Sequence, residues 1–366
     1  MSEKIKNFTI ILLTGSFLVL FPLWGIIQSD QKESISERRP LAQLPEITKE
    51  SVLSGKFMTD FEKYTLDQFP LRENFRTIKA FATLKLFSQK DNNHLYLENG
   101  FISKLDYPIN IESIEYATNR FRFIYNNYIS GKDINVYLSL IPDKNYFLAS
   151  EFGYPSINYQ QFFDYVTEKM DYSQYIDIVH LLEVHDYYRT DTHWRQERIV
   201  DVAKYLAEKM GTKVTGVYQK NKVPLPFYGV YYGHLALPLP ADELYYLNNP
   251  EIEGGTVYDY ETDTHIPIYD FQKVYGKDPY ELFLSGSKSL LKINNPNAAS
   301  EKELIVFRDS FASSLAPLLM EGYSTITLVD IRYISPNILK KFISFEHQDV
   351  LFLYSTSVLN NSNTLK

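Results

Sequence analysis

The most pronounced hydrophobic feature of the chain is a run of uncharged, mostly apolar residues from Phe8 to Ile27. At a helical rise of about 1.5 Å per residue, this run spans about 30 Å, the thickness of the hydrocarbon core of a bilayer. Lys4 and Lys6 precede it, as in an export signal, and no small-residue cleavage site follows. The pattern predicts an uncleaved membrane anchor over residues 1–30, in preference to a removed signal peptide or a buried soluble helix.

Residues 31–92 have the pattern of a linker followed by a helical stem. The linker is polar and contains Pro40 and Pro45. Helical periodicity then predicts helices over 51–66 and 71–88, separated at Asp67-Gln68-Phe69-Pro70. The break is expected there because the residue before a proline avoids the α region.

From residue 93 onward, short apolar runs alternate with helical patterns, which predicts an α/β domain over 93–366. The alternation favours a mostly parallel, five-stranded sheet that is covered on both faces. The predicted strands are Ile134–Ile141, Tyr175–Val179, Leu304–Phe307, Ile326–Val329 and Val350–Tyr354. The predicted helices are 111–128, 159–170, 195–210, 311–321 and 336–345.

Residues 211–293 interrupt this rhythm. They are rich in Pro, Gly, Tyr and Asn and show no convincing helical pattern. We interpret them as an irregular, strand-containing insertion that borders a functional site.

Composition excludes several classes of function. The chain has no cysteine, which excludes disulfides, zinc–thiolate sites and cysteine nucleophiles. The formal net charge of -8 argues against a nucleic-acid partner, because neutralising phosphates requires a basic surface. Hydrophobic residues at 45% and charged residues at 22% are typical of a globular protein and argue against general disorder.

A sharp polar turn follows the predicted strand Leu304–Phe307, with the sequence Arg308-Asp309-Ser310-Phe311. Such a turn can expose a serine hydroxyl at the carboxyl edge of a sheet, where open α/β proteins place their sites. The N–H groups of a following helix would stabilise a developing oxyanion. The alternative interpretation is that Asp309 or Ser310 only caps that helix.

A second chemical signal is Asp191-Thr192-His193-Trp194. A serine hydroxyl needs a base to become a nucleophile, and a carboxylate commonly orients the histidine that acts as this base. Asp191 and His193 are two residues apart, so in extended backbone their side chains point to the same side. A structural or surface role for the pair is the alternative. The neighbouring His180 and His185 have no spacing that indicates a metal site.

Asp191-Thr192-His193-Trp194 resembles the D-x-H-W signature of the DHHW family and of alginate O-acetyltransferase-like proteins in the SGNH hydrolase-like superfamily. Other blocks resemble the family in the same order along the chain. They are Glu37–Leu41 with Leu44-Pro45, Phe57–Arg72, Ile141–Lys144, Arg308–Phe311, and Val329–Arg332 with Asp349.

The resemblance implies an SGNH-like three-layer domain and a catalytic triad in which Asp191 orients, His193 is the base and Ser310 is the nucleophile. It requires no metal and no other cofactor. Two departures from the pattern stand out. Thr192 replaces the second histidine of the family name, and Arg308 stands where hydrolases of the superfamily have glycine.

Three further residues are predicted to bind substrate: Arg308, Trp194 and Lys144. Arg308 would either crowd the oxyanion pocket or bind an anionic group. Trp194 would stack on a sugar, with packing beneath the site as the alternative. Lys144 would reach the site from the turn after the first core strand, with a structural ion pair as the alternative.

Together these features predict a single-pass protein of the cell membrane with its main domain outside the cell. The resemblance implies acyl transfer, of acetyl above all, or ester hydrolysis on an extracellular or cell-wall polysaccharide. A membrane acyl-donor protein would be the partner of a transferase. The alternative is a non-catalytic glycan-binding or polysaccharide-assembly protein on the same fold, because fold does not fix function.

Overall fold

The computed structural model describes residues 3–366, and the chain forms two compact units. The first unit comprises the residues up to Asn92 together with Gly233–Leu239. The second unit comprises Asn93–Tyr232 and Pro240–Lys366. The sheet and every residue of the predicted site lie in the second unit.

The first unit is mainly helical. Among residues 3–366, one helix is long and apolar enough to cross a membrane, namely α1. A two-stranded hairpin, β1–β2, precedes the remaining helices. The bounds are α1 Glu3–Ile27, β1 Glu33–Ser34, β2 Arg39–Pro40, α2 Lys49–Leu53, α3 Lys56–Asp67 and α4 Arg72–Phe81, which continues as a π-helical turn over Ala82–Leu86.

The predicted break between the stem helices is confirmed, since α3 ends at Asp67 and α4 begins at Arg72 beyond Pro70. The prediction of one continuous helix over 51–66 is wrong. Gly55 interrupts it with φ 75°, a backbone conformation that glycine adopts without a Cβ penalty. The stem therefore has three helices between the linker and residue 82.

The second unit is built on a mostly parallel sheet of eight strands in the order β10-β9-β11-β13-β12-β14-β5-β6. Four of the predicted strands correspond to β5, β12, β13 and β14, and they pair in parallel with one another. The predicted strand Tyr175–Val179 overlaps the short parallel strand β6 only at Tyr175, since the chain enters a 3₁₀ helix at Val179. The bounds are β5 Val136–Ile141, β6 Gln174–Tyr175, β9 Thr256–Asp259, β10 Thr264–Ile266, β11 Leu290–Asn294, β12 Glu303–Arg308, β13 Thr325–Val329 and β14 Asp349–Ser355.

The predicted count of five strands is wrong, because the insertion over 211–293 contributes strands to the same sheet. β11 pairs antiparallel with β13, and β9 and β10 extend the sheet beyond it. Antiparallel neighbours need no crossover helix, so no alternation of strand and helix marks them in the sequence. Two separate hairpins complete the strands: β3 Leu95–Glu98 with β4 Phe101–Lys104, and β7 Gln219–Phe227 with β8 Asp242–Asn248.

Helices pack on both faces of the sheet. Four of the predicted helices correspond to α5, α7, α8 and α11, whereas the one predicted over 336–345 is a 3₁₀ helix at Pro336–Lys341. The short helices α6, α9, α10 and α12 are not predicted. The bounds are α5 Ile111–Ile124, α6 Lys144–Phe152, α7 Tyr159–Lys169, α8 Val200–Lys209, α9 Val230–Leu235, α10 Pro250–Gly254, α11 Ala312–Leu319 and α12 Thr356–Asn360.

The two faces of β12 show why the central strands read as continuous apolar runs. Leu304 and Val306 pack in a core with residues of α8 and α11, whereas Ile305 and Phe307 pack in a second core with residues of α5 and α7. A strand buried on both faces carries no polar alternation. This arrangement leaves the carboxyl ends of the parallel strands as the place where polar side chains gather.

Candidate active site

Ser310 lies in the turn between β12 and α11, and Asp309 fixes that turn. Asp309 is fully buried. Its Oδ1 accepts from the Phe311 N–H at 3.0 Å, and its Oδ2 accepts from the N–H and the hydroxyl of Ser355 at 2.8 and 2.7 Å. Because Ser355 ends β14, these bonds join the carboxyl ends of two neighbouring strands. Asp309 therefore holds Ser310 at the sheet edge, where the residue is partly exposed.

Ser310, His193 and Asp191 form a continuous hydrogen-bonded chain. His193 Nε2 lies 2.7 Å from Ser310 Oγ, and His193 Nδ1 lies 2.6 Å from Asp191 Oδ1. Asp191 is fully buried, and only 7% of the His193 surface is exposed. A carboxylate on Nδ1 favours the tautomer that leaves Nε2 free to accept a proton from the serine. The arrangement can therefore activate a hydroxyl for attack on a carbonyl.

The loop after β7 holds the second oxygen of Asp191. Asp191 Oδ2 accepts from the Val230 N–H at 2.8 Å, and the Gly229 N–H donates to Thr190 Oγ1 at 2.9 Å. A Cβ on Gly229 would lie 2.3 Å from Asp191 Cβ and 2.4 Å from the Thr190 carbonyl oxygen. Only glycine fits this approach of two backbones.

Asp242 fixes the Asp191 segment from another side. Its Oδ2 accepts from the N–H and hydroxyl of Thr190 at 2.8 and 2.6 Å, and its Oδ1 accepts from the Arg189 N–H at 3.0 Å. The residues that precede Asp191 are thus held by a buried carboxylate from the start of β8.

Lys144 lies beneath the same segment and is buried, with 2% of its surface exposed. Its Nζ donates to the backbone carbonyls of Tyr188 at 2.9 Å, Arg189 at 3.2 Å and Asp191 at 2.7 Å. Burial lowers the pKa of Lys144 to about 7, although the carboxylates of Asp191, Asp242 and Asp143 act in the opposite direction. These contacts make Lys144 a support of the Asp191 backbone.

Two aromatic rings, those of Tyr280 and Phe311, pack against the imidazole. The ring of Tyr280 stacks on His193 with centroids 3.9 Å apart and planes inclined by 8°. The hydroxyls of Tyr280 and Ser314 are 2.8 Å apart, and Trp194 Nε1–H donates to Ser314 Oγ at 3.0 Å. An aromatic face stacked against the imidazole limits its rotation.

Arg308 is buried beside the serine turn. Its guanidinium donates to Ser313 Oγ at 2.7 Å and to the Asp309 carbonyl at 3.3 Å, while Nε has no hydrogen-bond partner among residues 3–366. Burial lowers the pKa of Arg308, and the carboxylate of Asp330 acts against that shift. Arg308 therefore braces the first turn of α11.

Among the six residues singled out from the sequence, the structure brings Asp191, His193 and Ser310 into direct contact. Lys144, Trp194 and Arg308 are each at most 2% exposed and bond to backbone or serine atoms. Their role in substrate binding stays a prediction.

The sequence reasoning missed the residues of the insertion that contact this cluster, namely Gly229, Asp242 and Tyr280. The richness of that segment in Gly, Pro and Tyr is a signal for a site border but identifies none of these positions. Within residues 3–366, no group of three or more His, Asp or Glu side chains is arranged to hold a metal ion.

Comparisons with known proteins show likeness in fold. No protein-family model matches the sequence, and no curated protein does so either. Among solved structures, a DHHW family protein from Eubacterium siraeum matches with a TM-score of 0.59 and 20% identity, over 75% of this chain and 97% of that chain.

Bacillus cereus PatB1, solved with a sulfonyl adduct, matches with a TM-score of 0.54 and 19% identity, over 72% of this chain and 95% of that chain. The resemblance predicted from the sequence motifs is therefore confirmed at the level of the fold, which this chain shares with a DHHW family protein.

Proposed function

We propose that the second unit is an SGNH-like three-layer domain that transfers an acyl group, acetyl above all, or hydrolyses its ester on an extracellular or cell-wall polysaccharide. The observation that carries this proposal is the hydrogen-bonded chain from Asp191 through His193 to Ser310. The resemblance of the D-x-H-W block to alginate O-acetyltransferase-like proteins supports a polysaccharide hydroxyl as the acceptor.

In the first half-reaction, Ser310 Oγ attacks the carbonyl carbon of the donor ester and its proton passes to His193 Nε2. Asp191 accepts the Nδ1–H and stabilises the imidazolium that forms. The tetrahedral intermediate then collapses, and His193 returns the proton to the departing alkoxide. The products are an acyl-serine ester and the alcohol of the donor.

The oxyanion of this intermediate would lie near the start of α11. The Ser310 N–H donates no hydrogen bond within residues 3–366. A backbone N–H at a helix N-terminus is suited to a developing negative charge. This geometry supports Ser310 N–H as one oxyanion donor.

In the second half-reaction, a hydroxyl attacks the acyl-serine and transfers its proton to His193 Nε2. A sugar hydroxyl gives the acylated polysaccharide, whereas water gives the free acid. The same residues serve both outcomes, so the acceptor that reaches the site decides between transferase and esterase. A membrane acyl-donor protein is the proposed source of the acyl group.

The location of the reaction follows from α1. This helix supports single-pass anchoring. The extracellular side for the second unit is part of the proposal and is supported by the signal-like position of the helix near the N-terminus. Polysaccharide and acyl donor would then meet the domain outside the cell.

The proposal is tested with a fluorophosphonate probe on the purified full-length protein. Ser310→Ala and His193→Ala should each reduce labelling and acetyl-ester hydrolysis by about 10³-fold or more, because members of a triad act as a unit. Asp191→Asn should cost as much or less, while leaving the fold intact. The matched controls are Ser287→Ala and His180→Ala, which lie outside the hydrogen-bonded chain.

Labelling and hydrolysis that persist in Ser310→Ala would overturn the enzyme proposal. The protein would then be interpreted as a non-catalytic polysaccharide-binding or assembly protein. Binding of polysaccharide without any labelling of the unmodified protein would lead to the same conclusion.

A further inference from the structure

The stem, residues 31–92, has an unusual surface. Thirteen large apolar side chains are exposed between Ile35 and Phe87, and none of them is a tyrosine. The second unit is about four times longer than the stem, yet it exposes ten large hydrophobic side chains, of which six are tyrosines with a polar tip. A concentration of aliphatic and phenylalanine side chains on so small a segment indicates contact with an apolar environment.

Helix α4 arranges part of this surface as a stripe. Ile78 and Phe81 are each 60% exposed, and their spacing of three residues places them on one helical face, while Leu71, which is 47% exposed, directly precedes the helix. Arg72 and Lys79 are each one residue further along the chain and lie about 100° round the helix, beside this face. Arg72 is paired with Glu37 and Glu73, so Lys79 is the basic group beside this apolar stripe of α4, as at the edge of a helix that lies in a membrane interface.

The apolar helix α1 packs against the start of α4. The contact involves the turn that precedes α4 and the first turn of α4 itself. The ring of Phe21 lies 5.4 Å from that of Phe69 and 5.7 Å from that of Phe75, measured between centroids. Phe17 lies 6.4 Å from Phe75. A Cβ on Gly25 would be 3.7 Å from Pro70. The contact thus extends along the C-terminal part of the apolar helix.

The length of α1 fixes the depth of this contact. Lys6 marks one end of the uncharged run, and Ile27 ends the helix. If the segment from Phe17 onward stood outside the bilayer, the remaining run from Phe8 would measure about 14 Å, half of what a span requires. Phe21 must therefore lie about 9 Å inside the hydrocarbon boundary, and its partners in the stem lie beside it.

We propose that the stem is immersed in the leaflet that receives the C-terminal end of α1, with the apolar stripe of α4 against lipid acyl chains. Lipid is the occupant because α1 contacts Phe69 and Phe75, which adjoin the stripe along the chain, and holds them at that depth. The proposal rests on α1 crossing the membrane and is independent of the chemistry proposed at Ser310.

The charges of the stem are arranged in a way that suits this position. Arg39 forms a two-bond contact with Asp67 at 2.9 and 2.6 Å. The carboxylate of Glu37 lies 2.6 Å from the guanidinium of Arg72 and 3.4 Å from that of Arg76. Pairing lowers the cost of bringing charged groups close to a medium of low dielectric constant. The network allows these charges to remain at headgroup level while the stripe contacts the acyl chains.

The absence of cysteine permits a direct test with single-cysteine variants. Ile78→Cys and Phe81→Cys are labelled with bimane in the full-length protein, which is then reconstituted alone into phosphatidylglycerol–phosphatidylcholine vesicles. Leu18→Cys in α1 is the matched control for lipid contact, and Tyr275→Cys, 78% exposed in the second unit, is the control for water. Quenching by lipids brominated on their acyl chains is compared with quenching by aqueous iodide.

The labels at positions 78 and 81 should be quenched by brominated lipid about twofold or more, as at position 18, and should resist iodide. Quenching by iodide alone, as at position 275, would overturn the proposal. That result is expected if a protein partner covers the stripe, since no partner is present in the vesicles. A label at position 18 that brominated lipid fails to quench would also overturn it, because α1 would then not lie in the bilayer.

Discussion

The two units of the chain distribute polar and apolar side chains in opposite ways. In the second unit, charged groups lie in the interior: Asp191 and Asp309 are fully buried, and Lys144 and Arg308 are at most 2% exposed. In the first unit, the paired charged side chains are partly exposed, while large apolar side chains are exposed near them in the chain.

The difference in where charged side chains lie indicates a different role for each unit. Burying a charged group costs free energy unless it is paired and hydrogen-bonded, so a buried polar network is kept where geometry matters. In the second unit, that network surrounds the hydrogen bonds that join Asp191, His193 and Ser310. In the first unit, the exposed apolar side chains suit the lipid environment that we propose for the stem. Changes in the second unit should therefore alter the chemistry at Ser310, whereas changes in the ion pairs of the first should not.

The largest effect is expected for Gly229→Ala. The added Cβ would lie 2.3 Å from Asp191 Cβ, so one of the two backbones must move. We expect fluorophosphonate labelling of Ser310 to fall about 100-fold, because small displacements of catalytic groups are costly. Overpacking should also lower the free energy of unfolding by about 1–3 kcal/mol. Gly254→Ala is the control, since its Cβ would meet only the end of the Asn297 side chain. Unchanged labelling in Gly229→Ala would contradict the tight support of Asp191.

An intermediate effect is expected for Lys144→Met, which removes the donor to three carbonyls of the Asp191 segment. Labelling of Ser310 should fall about tenfold as that segment shifts. Lys209→Met, at an exposed lysine of the same unit, should leave labelling unchanged.

The pH dependence of stability distinguishes this role of Lys144 from simple packing. Burial lowers its pKa to about 7 in the folded state, against 10.5 ordinarily. Between these values the unfolded chain binds the proton more tightly, so the free energy of unfolding should rise as the pH increases through this window. Lys144→Met should lack that contribution in chemical denaturation. An identical slope in both proteins would show that Lys144 is not buried as a titrating group.

The smallest effect is expected for Asp67→Asn in the first unit. The hydrogen bond from Arg39 lowers the pKa of Asp67 to about 2, from 3.8. Its contribution to stability is therefore complete above pH 3.8 and is lost as the pH falls through 2. The Arg39 side chain is 39% exposed and that of Asp67 is 12% exposed, so water screens the pair only in part, and Asp67→Asn should cost about 1 kcal/mol at pH 7. Hydrogen exchange of the stem in detergent measures this, and labelling of Ser310 should not change. Altered labelling would break the contrast between the units.

Much of the fold could be predicted from the sequence. The central strands are buried on both faces, so they stand out as short apolar runs, and five of them form the parallel part of the sheet. The strands β9, β10 and β11 were not predicted individually, because edge and hairpin strands are short and mix polar with apolar positions. Helix α6 was not predicted because its nine residues are too few for a clear helical period, although Asp143 supplies an N-cap signal.

Part of the candidate site could be predicted, namely the residues identified by their type and by their spacing along the sequence. Asp191 and His193 are two residues apart, and Ser310 follows a strand at a sharp turn. The roles seen for Lys144 and Tyr280 were not predictable. Lys144 acts through backbone carbonyls, which have no signature in sequence, and Tyr280 is one of 30 tyrosines.

The sequence by itself determined the apolar run of α1, the alternation of strand and helix, and the residue types needed for nucleophile, base and orienting carboxylate. These properties depend on local periodicity and on side-chain chemistry. Only the tertiary structure decided that His193 lies 2.7 Å from Ser310 across 117 residues of chain, and that Gly229 and Tyr280 close around them. Such contacts arise from the packing of distant segments at the carboxyl edge of the sheet, and local sequence carries no record of that packing.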